Sequence, residues 1–356
     1  MSDYQSAGSA SANANRRGVT HLCGALPDGG WPVLRLILLG DVMLGRLVNR
    51  QVAATSPLYP WGDTLPVLRA ADAVVLNLEC VLADRGEPWP EKAFTFRADS
   101  RTVAVLTGAG VTAVSLANNH SLDFGRDALE DCIATLGRHQ IQPAGAGRSA
   151  DSVWRPATFS AAGVRVAVLA VTDNMPEWEA HADAPGVCYV PLVSTDPRFN
   201  QLLNAIEEVR AYHDLVVVSA HWGPNWGYTP PPDHVEAAHR FVDRGADVVF
   251  GHSPHVFRGV ALHRGKPILF SCGDYVDDYA VDDVERNDES FVWRVEVEDR
   301  RLYRLTLIPT VIRACQAGLA QGADRARIVQ RMRGLCAALR TETAETPEGI
   351  MIGIGG

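Results

Sequence analysis

The sequence predicts an α/β fold in which a β sandwich, formed within one domain, has helices on its outer faces. Two observations support this prediction. From Val33 onward, short apolar runs of strand length alternate with segments of helical spacing, which is typical of parallel strands joined by helices. After residue 256 the pattern changes to hairpins, and strands of both kinds in one chain favour two packed sheets.

The first part of the pattern contains three apolar strands and one clear helix. The strands are predicted over residues 34–39, 73–78 and 111–116. A helix is expected near residue 130, because apolar side chains recur there at helical spacing. Its apolar face consists of Leu129, Cys132, Ile133 and Leu136.

The middle of the chain continues the alternation. Residues 154–172 contain two strand-like runs, and residues 215–220 and 247–250 form two more. A helix is predicted just before residue 215, with an apolar face made of Phe199, Leu202, Leu203, Ile206 and Val209.

A second helix in this region has its own start and stop signals. Asp233 and Glu236 have the spacing of a capping box, which predicts a helix over residues 234–244. Gly245 is expected to end it, because glycine accepts the left-handed backbone that follows many helices.

The last third of the chain begins with hairpins. Residues 256–263 are predicted to pair with 267–272, and residues 291–298 with 302–311. An amphipathic helix follows, on the apolar residues Ile328, Val329, Met332, Leu335, Cys336 and Leu339. The predicted domain therefore covers residues 33–340, between a disordered tail over 1–32 and a flexible tail over 341–356.

Composition limits the partners and the compartment. The chain has 356 residues, with 33 Lys and Arg against 42 Asp and Glu, so its net charge of −9 gives no general attraction to nucleic acid. No run approaches the roughly 18–20 apolar residues of a membrane helix, so we expect no membrane anchor. Seven scattered cysteines without a C-x-x-C pair indicate reduced thiols and a cytoplasmic protein.

Residues able to bind a metal or move a proton follow six of the predicted strands. Because the carboxyl ends of parallel strands meet at the functional edge of a sheet, these residues are expected to share one site. Taken singly, each has an ordinary structural explanation as a turn, a cap or a buried donor. The strand-end residues are Asp41, Glu79, Asn118-Asn119-His120, His221, His252 with His255, and Asp274.

The acidic stretch over residues 274–289 has no calcium-loop spacing. We predict a solvated loop for most of it. Asp274 is the exception, because it directly follows a strand.

Five motifs in this order resemble the CapA family, which is named for capsular poly-γ-glutamate synthesis and related to the calcineurin-like metallophosphoesterases. The similarity spans about residues 34–310 and implies a four-layer αββα sandwich with a metal site at its crest. The motifs are Gly40-Asp41-Val42-Met43-Leu44-Gly45, Asn77-Leu78-Glu79, Ala117-Asn118-Asn119-His120-Ser121-Leu122-Asp123-Phe124-Gly125, His221-Trp222-Gly223 and Gly251-His252-Ser253-Pro254-His255-Val256.

The resemblance implies a role for each matching residue. His120 is expected to act as an acid over the leaving group, and Glu79 to bridge two metal positions. One or two divalent ions, Mn, Zn or Fe, are implied. The implied ligands are Asp41, Glu79, Asn119, His221, His252 and His255. Which of Asn118 and Asn119 is the ligand stays open.

One motif departs from the metallophosphoesterase pattern. Those enzymes have a histidine two residues after the first aspartate, and Met43 stands at that position here. A thioether is a poor ligand for a hard cation, so one metal position lacks a donor. This departure weakens the assignment of phosphoester hydrolysis.

The loop over residues 222–232 is rich in aromatic and proline residues. It is either a stiff surface loop or a wall for an extended ligand, since aromatic rings bury a large area at low entropy cost. The candidate substrate-binding residues are Trp222, Trp226 and Tyr228, with Arg46. The expected substrate is a peptide or γ-glutamyl chain.

Three functions remain open. The first is a metal-dependent hydrolase or transferase acting on a peptide, poly-γ-glutamyl or phosphoester bond, with Asp41, His120 and His255 as catalytic residues. The second is a peptide epimerase without metal or cofactor, similar to enzymes of lasso-peptide maturation. It would use Asp41 with His255 or His252 as an acid–base pair. The third is a non-catalytic polymer-binding protein with a patch formed by Arg46, Arg50, Arg97 and Arg258.

Overall fold

Two mixed β-sheets face each other across an apolar core. The structure, a computed structural model, describes residues 33–355, so the tail expected over 1–32 lies outside the described residues. The strands, in chain order, are β1 (Leu34–Val42), β2 (Ala73–Leu78), β3 (Val81–Leu82), β4 (Arg97–Ala98), β5 (Val111–Ser115), β6 (Gln142–Ala144), β7 (Ala146–Gly147), β8 (Ala157–Ala161), β9 (Val164–Thr172), β10 (Gly186–Val187), β11 (Leu215–His221), β12 (Val248–His252), β13 (Val260–His263), β14 (Lys266–Leu269), β15 (Asp274–Val276), β16 (Glu289–Glu298), β17 (Arg301–Arg313), β18 (Gln316–Leu319), β19 (Ala344–Glu345) and β20 (Ile350–Gly353).

Helices connect many of these strands. The α-helices are α1 (Arg46–Ala54), α2 (Leu65–Arg69), α3 (Val103–Gly108), α4 (Arg126–Arg138), α5 (Pro197–Arg210), α6 (Pro232–Asp243) and α7 (Gly322–Ala338). Short 3₁₀ segments cover Tyr59–Thr64, Ser100–Thr102, Ser152–Trp154 and Pro176–Trp178.

The larger sheet has the strand order β19-β20-β17-β16-β1-β2-β5-β6, with β15 beside β1 and β18 beside β17. Its strands β1, β2, β5 and β6 are parallel, whereas β16, β17 and β20 are antiparallel to their neighbours. The smaller sheet has the order β13-β14-β12-β11-β9-β8, with a parallel centre and antiparallel edges. Parallel strand ends therefore occur in both sheets.

Side-chain alternation along the strands separates the layers. In β1, Leu36 and Leu38 point to the core between the sheets, where they meet Val217 of the smaller sheet. Ile37 and Leu39 point outward, into a cluster with apolar residues of α1, α2, α3 and α4. Helices α5 and α6 cover the outer face of the smaller sheet in the same way. These layers confirm the predicted αββα sandwich.

The predicted hairpins are confirmed. β13 pairs antiparallel with β14, and β16 with β17. The predicted amphipathic helix is α7, which inserts Ile328, Val329 and Met332 into the core between the sheets. Within residues 33–355, none of the helices has the length and apolar character needed to cross a lipid bilayer.

The start of α6 differs from the prediction. The helix begins at Pro232 and has Pro231 at its N-cap, which offers no side-chain acceptor. Asp233 instead accepts a hydrogen bond from the backbone N–H of its neighbour His234, so the capping box is wrong. The predicted end is confirmed, since Gly245 adopts a φ of +115° directly after the helix.

The chain end also differs from the expected flexible tail over 341–356. β20 pairs with β17 in the larger sheet, and its side chains Ile350 and Ile352 are buried in the core between the sheets. Sequence spacing gave no sign of this strand, because it has only four residues and pairs with a partner over 40 positions away.

Candidate active site

The site lies at the crest of the sandwich, where strand ends of both sheets meet. Asp41, at the end of β1, accepts a hydrogen bond from Asn77 (2.7 Å) and one from the backbone N–H of Ser253 (3.1 Å). His252, at the end of β12, lies with Nδ1 3.7 Å from the Asp41 carboxylate. Asp41 therefore contacts residues of both sheets.

A first cluster contains three carboxylates and one imidazole. One ligand atom from each of Asp41, Glu79, His255 and Asp274 lies within 4.8 Å of the others. Asp274 reaches this place because β15 pairs in parallel with β1, which puts Asp274 directly beside Asp41. Gly40 permits this close pairing, since a Cβ there would collide with the carbonyl oxygen of Gly273.

Asp274 offers a possible metal ligand in place of the histidine that is missing at position 43. The Met43 sulfur accepts a hydrogen bond from the backbone N–H of Gly45 (3.0 Å) and is buried. Asp274 supplies an oxygen donor beside Asp41 and also accepts from His255 Nδ1 at 2.9 Å. The cluster therefore offers four possible metal ligands, although position 43 is not a histidine.

Burial makes the negative charge of the carboxylates in this cluster unfavourable in free energy. It raises the pKa of Asp41 to about 6, and it raises the pKa values of Glu79 and Asp274 well above their usual range, with neighbouring carboxylates adding to the effect. Among residues 33–355, neither Glu79 oxygen has a hydrogen-bond partner. A buried, unpaired carboxylate costs several kcal/mol, and a divalent cation would remove that cost. The donor set therefore fits a metal ion.

A second cluster is built on two histidines of the smaller sheet. His221 Nδ1 and His252 Nδ1 lie 2.8 Å apart, and both belong to a possible ligand group with Asp41. Burial lowers the pKa of His252 to about 3 and that of His221 well below its usual value. Both rings are therefore neutral near pH 7, which is the form that binds metals.

The far nitrogens of the two rings are held in place. His252 Nε2 lies 2.7 Å from the Ser219 hydroxyl, and His221 Nε2 lies 2.9 Å from Asn119 Oδ1. Partners of this kind fix the ring orientation and leave Nδ1 free to accept a cation. Asn119 thus orients His221, and its role as a direct ligand stays a prediction.

Asn118 and Asn119 have different surroundings. Asn118 is buried, donates to Asn77 and to the backbone of Leu78, and accepts from the backbone N–H of His120. Its polar groups are used by the fold. Of the two asparagines, Asn119 is the one beside the histidine cluster.

His120 belongs to a network that the sequence did not reveal. Its Nδ1 lies 2.7 Å from Asp123, and its Nε2 lies 3.8 Å from Glu79 in the first cluster. Lys92 contacts Asp123, the Asn119 carbonyl oxygen and His120 Nδ1. Burial lowers the pKa of His120 to about 4, so the ring is neutral near pH 7.

The acidic stretch 274–289 is only partly the solvated loop that was predicted. Asp277 is buried beside Asp274, and burial raises the pKa of Asp277 to about 7. Asp288 and Glu289 are buried as well, whereas Asp282 and Asp283 are exposed.

The predicted aromatic wall is reduced to one exposed ring. Trp222 is fully buried in the outer core, where its indole N–H donates to Phe270 O at 2.8 Å, so it cannot contact a substrate. Trp226 is 39% exposed, and its ring centroid lies 5.9 Å from that of His255. Tyr228 is half-buried and donates its hydroxyl hydrogen to the carbonyl oxygen of Glu285.

Two arginines that were predicted to contact ligand have structural partners. Arg46 lies 3.0 Å from Asp278 in an ion pair. Arg258 is buried and donates to the carbonyl oxygens of Gly227 (2.8 Å) and Trp226 (3.1 Å). Arg258 therefore positions the loop that carries Trp226 and is not part of a surface patch.

The chain is similar in sequence to a family of bacterial proteins. The sequence model of the family described as bacterial capsule synthesis protein PGA_cap matches residues 35–279. The probable polyglutamine synthesis accessory protein Rv0574c of Mycobacterium tuberculosis is 36% identical over 275 residues, which cover 74% of this chain and 72% of that protein. The PGA biosynthesis protein CapA of Bacillus subtilis is 28% identical over 249 residues, or 69% of this chain and 64% of that protein.

A solved structure gives a weaker match. The 5'-nucleotidase precursor from Thermus thermophilus has a TM-score of 0.43 and 16% identity, and the match covers 88% of this chain and 61% of that chain.

Proposed function

The chain belongs to the PGA_cap family of bacterial capsule synthesis proteins, and from this premise we propose that it is a metal-dependent hydrolase or transferase. The single observation that supports metal dependence best is the buried carboxylate of Glu79, which has no hydrogen-bond partner within residues 33–355 and lies in a cluster with Asp41, Asp274 and His255. The names of its relatives refer to polyglutamine synthesis, PGA biosynthesis and capsule biosynthesis. The proposed substrate is accordingly a peptide, a poly-γ-glutamyl chain or a phosphoester.

Two positions for divalent ions follow from the two clusters. Asp41, Glu79, His255 and Asp274 would hold one ion, and His221 with His252 would hold a second that shares Asp41. Mn, Zn or Fe suits such mixed oxygen and nitrogen donors. When bound, such an ion polarises a carbonyl or phosphoryl oxygen and lowers the pKa of a water molecule.

His120 is the proposed proton carrier. Asp123 accepts the proton of His120 Nδ1, so Nε2 points toward Glu79 with a free lone pair. At this position Nε2 can take a proton from the nucleophile and return it to the leaving group. Lys92 holds the backbone of Asn119 and the side chain of Asp123, which keeps His120 oriented.

Metal content tests this proposal. Protein purified without chelator or affinity metal is measured by elemental mass spectrometry, and we expect about one or two equivalents of Mn, Fe or Zn per chain. Asp41→Asn should lose the metal, whereas Asp183→Asn, at an exposed position, should retain it. Metal-free protein that remains active on a phosphoester or γ-glutamyl peptide would contradict the proposal.

Peptide epimerisation is a second candidate, favoured by one observation. His255 Nδ1 is hydrogen-bonded to Asp274, which orients His255 Nε2 as a base, and the pKa of Asp41 is raised to about 6 by burial. The candidate ranks second because it gives no role to the carboxylate of Glu79, which has no hydrogen-bond partner among the described residues. Deuterium incorporation from heavy water into a peptide Cα by metal-free protein would reverse this ranking.

A further inference from the structure

The exposed apolar side chains are unevenly distributed over the surface. Within residues 33–355, eight large apolar side chains are exposed to solvent. Three of them are scattered over other parts of the surface. The other five are called here the apolar rim: Leu47 in α1, and Phe94, Trp226, Val281 and Val284 on loops.

Two rim residues line a cavity beside the site. Leu47 and Val281 border a cavity of about 450 Å³ together with Asp277 and Tyr279. The Tyr279 ring packs edge-on against His255, with centroids 5.4 Å apart. The cavity is therefore separated from the first cluster by a single side-chain layer.

The other three rim residues are related to the site by a ring contact or by their neighbours in the sequence. The Trp226 ring is a neighbour of His255. Phe94 follows Lys92 by two residues and precedes Phe96, whose ring stacks on His120 at 4.0 Å. Val284, 77% exposed, precedes Glu285, which accepts the Tyr228 hydroxyl. All five rim residues thus lie within two positions of residues around the site or line the cavity beside it.

Acidic groups accompany the apolar rim. Residues 277–288 contain six acidic side chains, of which Asp277 and Asp288 are buried and Asp278 is paired with Arg46. Asp283 and Val284 are both exposed. The exposed carboxylates of Asp282 and Asp283 therefore disfavour polyanionic ligands at this loop and attract cations.

We propose that the apolar rim binds an extended peptide with apolar and basic side chains and directs its backbone toward His255 and His120. The proposal rests on the proposed function and narrows its substrate class from any γ-glutamyl or phosphoester polymer to a peptide. Apolar anchors supply the binding free energy, while the acidic loop selects basic residues and excludes polyanions.

Fluorescence anisotropy tests the proposal directly. The probe is a short fluorescein-labelled peptide of alternating leucine and lysine, compared with a leucine–glutamate peptide and with poly-γ-glutamate as competitor. We expect the lysine peptide to bind, and the Val281→Ser/Val284→Ser double variant to bind roughly tenfold more weakly. Val193→Ser removes a valine that is about as exposed as Val281, from the loop before α5, and should bind like the parent.

Several outcomes would overturn the proposal. These are equal binding of the glutamate peptide, displacement of the probe by poly-γ-glutamate, an equal loss in Val193→Ser, or preferential binding to vesicles of phosphatidylcholine and phosphatidylglycerol. Asp41→Asn separates this proposal from the metal site, because it should lose metal and still bind the lysine peptide. Circular dichroism of each surface variant confirms that it is folded.

Discussion

Two glutamates in this protein are almost completely buried, at 1% exposure for Glu79 and 0% for Glu289, and their surroundings are opposite. Glu289 accepts hydrogen bonds from Arg327 (2.6 Å) and Arg331 (3.1 Å). Glu79 has no hydrogen-bond partner among the described residues and is surrounded by other carboxylates. The comparison teaches that burial alone does not mark a functional carboxylate. A buried carboxylate whose charge the fold leaves uncompensated is the better candidate, because only a ligand or a proton can compensate it.

The largest expected effect is that of Glu79→Gln. The variant should lose the ion of the first cluster, and with it roughly a hundredfold or more of any activity that depends on metal. In the presence of chelator it should be at least as stable as the parent, because glutamine is neutral at every pH, whereas burial penalises the charged form of Glu79. Elemental mass spectrometry and thermal unfolding measure the two effects. Glu87→Gln, at an exposed position, is the control.

Glu289→Gln is expected to give the reverse result. It leaves the guanidinium groups of Arg327 and Arg331 without their carboxylate, which should lower the free energy of unfolding by about 2 kcal/mol, since both arginines are partly solvated. Metal content should stay unchanged. Urea unfolding measures the loss. If Glu289→Gln lost metal while Glu79→Gln lost stability, the comparison between the two glutamates would be reversed.

The difference between these glutamates could not be predicted from sequence. Strand ends such as Asp41, Glu79 and His221 were predictable, because a short apolar run followed by a polar residue is a local signal. Asp274 was also predictable, because it directly follows a strand, but nothing in the acidic run around Asp277 shows whether that residue is solvated or buried. The burial of both residues depends on β15 pairing with β1, more than 200 residues earlier in the chain.

Loop side chains show the same limit. Trp222 directly follows β11, and its ring packs inward against the outer core, whereas Trp226 in the same loop is exposed. Nothing in the spacing distinguishes them, because the loop path depends on contacts such as those of Arg258. The pairing of His120 with Asp123 could have been found, since the two residues are three positions apart in one motif.

Asp277→Asn tests the comparison between compensated and uncompensated carboxylates through the pH dependence of stability. Burial raises the pKa of Asp277 to about 7, above its usual value, so the folded protein favours the protonated form. The stabilisation from this carboxyl is therefore complete below about pH 4 and is lost as the pH rises toward about pH 7. In chelator, Asp277→Asn should match the parent near the lower pH and exceed its stability by about 2 kcal/mol near pH 8. Urea unfolding at both pH values measures this. A constant difference at all pH values would mean that the carboxyl of Asp277 does not titrate in this range, which would contradict the prediction.

The smallest expected effect comes from Ser219→Ala. This variant tests whether the hydrogen bond that holds His252 strengthens metal binding in the second cluster. The Ser219 hydroxyl can accept the proton of His252 Nε2, and this bond leaves Nδ1 free to face His221. Its removal should weaken binding of the second ion by roughly tenfold and leave binding of the first ion unchanged, because partners of this kind orient a ligand without contacting the metal.

Ser115→Ala is a matched control, since Ser115 is also a buried strand serine but has no hydrogen-bond partner for its hydroxyl among the described residues. Titration of metal-free protein with Zn²⁺ or Mn²⁺ separates the two binding steps. If both alanine variants weakened the second ion equally, loss of packing would explain the effect. A loss confined to Ser219→Ala would mean that the two clusters obtain their affinity differently: the first from carboxylates that the fold leaves uncompensated, and the second from imidazoles that the fold holds by their far nitrogens.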